Sequence, residues 1–152
     1  MSALPPFPLP DMTFEPLSPM WAAAAEDVFS LPRCAICAAF DWYPQGTCRT
    51  CGGVDIAWVP LSGRGSLFSW AEVHRALHPP LAALGSYVSA IVAIEEDPTV
   101  RFVTRLIDAR LDRLRIDMPV RASFADLGAP AVETGVFAPL FTPANPEDRE
   151  SI

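Results

Sequence analysis

The sequence predicts a mainly β chain in which a short N-terminal helix leads into a four-cysteine metal module and then a small antiparallel barrel. Three observations carry this reading. All four cysteines fall in Cys34-Ala35-Ile36-Cys37 and Cys48-Arg49-Thr50-Cys51, and a two-residue gap lets each turn deliver two sulfurs to one side of a tetrahedral metal. From residue 54 onward, five or six short runs rich in β-branched and aromatic residues are separated by turn residues over about ninety positions. Few helical segments intervene, which is the pattern of an antiparallel barrel rather than of a parallel sheet. Upstream, the six prolines of residues 1–19 remove backbone donors and favour an extended arm.

A chain of 152 residues holds one full core, or a small module plus a modest domain. No apolar run approaches the roughly 20 residues that span a bilayer, and residues 1–32 lack the basic and apolar segments of a secretory signal. The expected location is cytoplasmic. Thiols stay reduced there, so four cysteines point to metal ligation rather than to disulfides. The net charge of -7 opposes a simple nucleic-acid binder. That excess sits at the two ends: residues 33–121 hold ten arginines against nine acidic residues, whereas residues 1–32 hold no basic residue. All eleven basic residues are arginine, which suits planar, bidentate contacts to phosphate or carboxylate and is equally a consequence of genomic composition.

Taken in order, residues 1–19 form the arm, with Leu4, Phe7, Leu9, Met12, Phe14 and Leu17 between its prolines. These are too apolar for an ordinary solvated linker, so the arm is expected to lie along its own domain or a partner. A helix follows, with Ser18 as N-cap, Pro19 at its first position, and Trp21, Ala24, Ala25, Val28 and Phe29 along one face. That face is expected against the cysteine module or a second subunit, and Leu31-Pro32 is expected to end the helix. In the module, Phe40, Trp42, Tyr43 and Pro44 fill the interval between the cysteine pairs and are expected to cover the thiolates. Gly52 after the second pair permits the positive φ that such turns require, while Ala38 holds the matching place after the first.

Strands are expected at residues 54–61, 64–75, 87–96, 100–108, 119–127 and 131–140. Gly63 and Gly65 flank Arg64 as a bulge or tight turn, and the lysine of a phosphate loop is missing. Residues 76–85 read as a loop, 109–118 as a short helical or irregular connection, and 142–152 as a frayed tail. The division is therefore an arm (1–19), helix and metal module (20–53), barrel (54–142) and acidic tail (143–152).

No nucleophile with its base and no carboxylate pair of recognisable spacing is present. His74 and His78, the two histidines, lie at a strand end and in a Pro-containing loop, so their four-residue spacing does not converge as it would on a helix. Four thiolates hold iron as well as zinc, and the spacing does not separate the two metals. With no second redox motif downstream, structural zinc is preferred over a rubredoxin-like electron carrier.

The run Leu31-Pro32-Arg33-Cys34-x2-Cys37, Tyr43-Pro44, Cys48-x2-Cys51-Gly52, Trp58, Ser62-Gly63-Arg64-Gly65-Ser66, Trp70 and His74 resembles a known family. It is that of the acyl-CoA-associated OB-fold proteins with an N-terminal rubredoxin-like zinc ribbon, domain of unknown function 35. Tyr87-Val88, Phe102-Val103-Thr104-Arg105 and Met118-Pro119-Val120 continue the match, which covers roughly residues 20–142 in order. Ala38, Ser86 and Asp117 depart from it, at places where glycine, proline and glycine are common.

The resemblance implies an OB-fold barrel and a non-catalytic accessory subunit of an acyl-CoA-processing complex. Its partner would be a thiolase-fold enzyme (thiolase, aldolase or synthase) or a hotdog-fold enoyl-CoA hydratase, and the chain would assemble as a homo- or hetero-oligomer. Cys34, Cys37, Cys48 and Cys51 are the expected metal ligands. Arg64 and Arg105 are candidate contacts to CoA phosphates, and Trp70 to adenine or the acyl chain. The alternative is a zinc-ribbon OB-fold protein that binds single-stranded nucleic acid through aromatics.

Overall fold

The computed structural model describes residues 8–128 and 133–150. Leu4, Pro5, Pro6 and Phe7 of the expected arm, Ala131 at the expected start of the last strand, and residues 151–152 of the tail lie outside those residues. Helix α1 spans Ser18–Ala25 and buries Met20 and Ala24. Ser18 is its first helical residue rather than its cap, and the Ser18 hydroxyl donates to the Glu15 carbonyl at 3.1 Å.

The helix stops short of the expected Val28 and Phe29. The Val28 amide donates to the Ala23 carbonyl at 2.9 Å and the Asp27 amide to the Ala24 carbonyl at 3.1 Å, while Asp27 takes φ 57°. Those paired bonds around a left-handed residue are a Schellman cap, with aspartate where glycine is usual. Beyond it Val28 is exposed. Phe29 turns into the barrel core, edge-on to Phe102 at 5.2 Å and to Phe141 at 5.6 Å between ring centroids.

Leu31-Pro32 does not end the helix. It lies in strand β1 (Ser30–Cys34), which pairs antiparallel with β2 (Ile56–Pro60) in the register Pro32↔Trp58. β2, read from the sequence as the first barrel strand, therefore belongs by pairing to the cysteine module. Proline is tolerated because in a two-stranded sheet every strand is an edge.

The barrel comprises β3 (Arg64–Val73), β4 (Tyr87–Ile94), β5 (Arg101–Leu106), β6 (Pro119–Asp126) and β7 (Phe137–Pro143). Its closed ring runs β3-β4-β5-β7-β6, with β3 returning to β6 at Gly65↔Val120. This is the strand order of an OB-type Greek-key barrel. The long strand β3 serves two neighbours because it bends, with a register shift between Leu67 and Ser69 that leaves Phe68 bulged. Gly65 is required at the crossing: a Cβ there would sit 2.5 Å from the Ala93 carbonyl oxygen. Leu67, Val92, Ile94, Phe102, Val120 and Phe141 fill the interior.

The seam between β5 and β7 is short. One parallel pair, Leu106↔Phe141, closes it, helped by Ile107 N–H to the Phe141 carbonyl at 2.8 Å and Thr104 Oγ1 to the Pro139 carbonyl at 3.0 Å.

The expected frayed tail is instead docked as far as Glu150. Asp148 is 2% exposed and accepts from both Arg115 Nη1 and Nη2, at 3.1 and 3.2 Å. The Arg110 amide donates to the Asp148 carbonyl at 3.1 Å, and the Glu150 amide to the Asp108 carbonyl at 3.0 Å. A buried carboxylate with a bidentate guanidinium partner is a specific anchor, and composition alone conceals it. No helix among the described residues is long and apolar enough to cross a membrane.

Candidate metal centre and barrel groove

The metal module is built from two turns with the same hydrogen bonds. In the first, the Cys34 amide donates to the Ala39 carbonyl and the Ala38 amide to the Cys34 carbonyl, both at 2.9 Å. In the second, the Cys48 amide donates to the Gly53 carbonyl and the Gly52 amide to the Cys48 carbonyl, both at 2.8 Å. Each turn needs a left-handed residue just after its second cysteine, and Ala38 (φ 62°) and Gly52 (φ 74°) supply it. Ala38 thus adopts the conformation that the family glycine would take.

The four sulfurs lie within 4.8 Å of one another, with Cys34 Sγ to Cys51 Sγ and Cys37 Sγ to Cys48 Sγ each 3.6 Å. Zinc–thiolate bonds of about 2.3 Å place tetrahedral sulfurs roughly 3.8 Å apart, so the cluster fits a four-thiolate metal. Cys34 and Cys48 are buried, and Cys37 and Cys51 are exposed.

Electrostatics agree with the fit. The amides of Cys51 and Thr50 pull the Cys48 thiol down to about 7. The Gly53 amide pulls Cys51 in the same direction, but the crowded thiols of Cys34, Cys37 and Cys48, with burial, outweigh it and push Cys51 up to about 12. Four thiolates repel unless a cation sits among them. The residues could hold zinc or iron, and the metal's contribution would be to cross-link the two turns.

The aromatics between the cysteine pairs face the barrel. Trp42 stacks on Phe102 of β5 at 5.1 Å and 27°, with Tyr43 tilted against it at 4.2 Å, so Trp42 forms a bridge from the module to the barrel. Arg49, next to Cys48 of the cluster, reaches the buried Asp41 with Nε 3.4 Å from Oδ1 and donates Nη2 to the Trp42 carbonyl. The sequence offered no signal for this contact beyond a lone arginine between two cysteines.

Where β5 and β7 diverge, a groove of about 500 Å3 opens between the barrel and the module, with Trp21, Trp42, Phe102, Val103 and Pro139 among its walls. A second groove of about 520 Å3 carries Glu72, Asp108, Asp126, Glu133 and Glu150. Arg105 lines both. It donates Nη2 to the Leu127 carbonyl at 3.1 Å, and burial lowers its pKa against a smaller opposing influence of Tyr87.

The other two candidate contacts lie elsewhere. Arg64 is exposed and paired with Glu95 at 2.8 Å. Trp70 is half-buried and packs against the barrel core. His74 lies 3.5 Å from Glu72 on the surface, and His78 immediately precedes the 3-10 turn Pro79–Leu84. The structure does not bring the histidines to the cysteine cluster, whose four candidate ligand atoms are all sulfur.

Comparisons with known proteins agree with this architecture. Residues 58–125 match the family described as ChsH2, C-terminal OB-fold domain. The chain is 29% identical over 126 residues to a Thermomonospora curvata protein named "Probable enoyl-CoA hydratase alpha subunit", covering 83% of this chain and 37% of that protein. The chain thus spans little more than a third of this curated relative's length. Among solved structures, a chain of the "Ltp2-ChsH2(DUF35) aldolase" matches with TM-score 0.75 and 28% identity, over 90% of this chain and 100% of that one. A Sulfolobus solfataricus protein of the DUF35 family with unknown function matches with TM-score 0.53 at 8% identity, over 88% of each chain, a likeness of fold. The resemblance read from the sequence is borne out: an OB-type barrel of the ChsH2 and DUF35 kind beside a four-cysteine cluster consistent with a zinc ribbon.

Proposed function

We propose that this chain is a non-catalytic accessory subunit of a cytoplasmic acyl-CoA-processing complex. Its partner would be a thiolase-fold enzyme (thiolase, aldolase or synthase) or a hotdog-fold enoyl-CoA hydratase. The observation that carries this reading is the match to all of the DUF35 chain of a protein whose name joins it to an aldolase. The hydratase name of the curated relative supports the acyl-CoA context.

In this reading the chain divides into the arm (1–19), the helix and ribbon (20–53), the barrel (54–142) and the acidic tail (143–152), with zinc held by Cys34, Cys37, Cys48 and Cys51 as a structural clip. Arg105 stands at a groove, as a ligand contact requires. Arg64 would have to leave Glu95 to meet a phosphate, and Trp70 would serve chiefly through the core it packs against. The nucleic-acid alternative is opposed by the five carboxylates along the second groove, which repel a phosphate backbone.

The test is co-expression with a candidate thiolase-like or hydratase partner, followed by co-purification and acyl-CoA turnover with each chain alone and with both together. Turnover that needs both chains is the expected result. Full activity of the partner without this chain overturns the reading.

A further inference from the structure

The apolar and acidic grooves are contiguous, and their chemistries differ so sharply that one ligand cannot be indifferent to its direction. Leu84, Tyr87, Arg105 and Leu140 line both, with Arg105 the cation between them. On the acidic side, the Asp126 carboxylate accepts from the amides of Gly128 at 2.7 Å and Gly135 at 2.6 Å, and from the Thr134 hydroxyl at 2.8 Å. Hydrogen bonds to the ionised form keep that charge in place. Arg149 offsets Asp108 at 3.6 Å and His74 lies 3.5 Å from Glu72, while Asp126, Glu133 and Glu150 add further carboxylates to the lining of the same groove. On the apolar side, Trp21, Trp42, Phe102 and Val103 wall a space within the range that takes a small ligand's apolar body.

A CoA thioester has an apolar acyl end and a head carrying a 3′-phosphate and a pyrophosphate. The carboxylate-lined groove repels that head, and among the described residues the apolar groove offers its phosphates no cation except Arg105. Resting on the acyl-CoA reading above, we infer that this chain binds the acyl end of the thioester in the apolar groove, with an oxygen of the ligand at Arg105. The nucleotide head is excluded and left to cationic residues of the partner. Arg105 then serves as the stop at the mouth of an acyl site rather than as a phosphate grip.

Titration calorimetry on the full chain tests the orientation with decanoyl-CoA, S-decanoyl-N-acetylcysteamine, which lacks the nucleotide, and free CoA. The two thioesters should bind within about threefold of one another, and free CoA should not compete with either. Val103→Asp, at an exposed position that lines the groove, should weaken both thioesters by about tenfold or more, because it sets a carboxylate against the alkyl chain. Binding that depends on the head group, competition by free CoA, failure of both thioesters to bind, or indifference to Val103→Asp would each overturn the inference. Turnover in the two-chain assay is a separate readout. A chain that activates its partner but binds no decanoyl thioester loses this inference and keeps the accessory role.

Discussion

Arg49, the residue after the third cysteine, lies with Nε 3.4 Å from Oδ1 of Asp41, a side chain 1% exposed. The same guanidinium donates to the Trp42 carbonyl, so one side chain links a metal-binding turn to the aromatic bridge on the barrel. Asp41 Oδ2 is buried with no partner among the described residues, so the contact of Arg49 with Oδ1 is the one side-chain hydrogen bond this carboxylate has there. Arg49→Met keeps the apolar stem and removes the donors. It should cost about 1–3 kcal/mol, the usual cost of stranding a buried polar group, read as a lower urea midpoint with an unchanged slope.

Removing one ligand tests the metal centre. Cys48→Ala takes away a buried sulfur from a cluster whose members lie within 4.8 Å. Elemental analysis should show about one equivalent of zinc in the parent and little in the variant, together with a lower Tm. A red protein with visible thiolate-to-iron absorption would assign iron instead, and a Cys48→Ala variant that kept both its metal and its Tm would refute the four-ligand clip.

Ala38 sits at φ 62°, where the second turn has glycine at φ 74°. An L-residue with a β-carbon pays roughly 1–2 kcal/mol in the left-handed region, and Ala→Gly gives back part of that gain by loosening the unfolded chain. Ala38→Gly should therefore stabilise the protein by about 0.5–1 kcal/mol without changing its metal content, as thermal melts and metal analysis would show.

Asp148 gives stability a defined dependence on pH. Hydrogen bonds from Arg115 hold its carboxyl below the unfolded value of 3.8, against the opposing effect of burial. Near that value the unfolded chain binds more protons than the native one, so the contribution is present above pH 3.8 and is lost as pH falls through the lower native pKa. Between about pH 6 and about pH 3, the parent should lose stability more steeply than Arg115→Leu. Asp126, also lowered by its backbone and Thr134 donors, is common to both proteins and drops out of the difference.

Features written in local chemistry were legible. The two cysteine pairs converge as their spacing requires, whereas Gly65, which with Gly63 reads as a bulge or tight turn, marks a close backbone crossing instead. Asp117, which departs from the resemblance where glycine is common, takes φ 63°. Features that depend on a distant partner were not legible. The apolar spacing carries the helix on to Val28 and Phe29, and nothing in it registers the change of direction at Asp27, which makes a glycine-type cap. β2 reads like any barrel strand, since only its partner β1 assigns it to the module. The tail looked free because the mate of Asp148 is Arg115, 33 residues away. The grooves leave no mark in the sequence because their walls come from the arm, helix, ribbon and all five barrel strands, each unremarkable by itself.

The single ladder pair between β5 and β7 bears on how the protein would fail. Beyond Leu106↔Phe141 the two strands part, and Phe29 and Trp42 stand over the gap against Phe102 and Phe141. Exposed strand edges are templates for pairing with other molecules. The cysteine module therefore shields the barrel from its own copies, and metal depletion should appear first as self-association, visible by light scattering while the β-sheet circular dichroism signal persists.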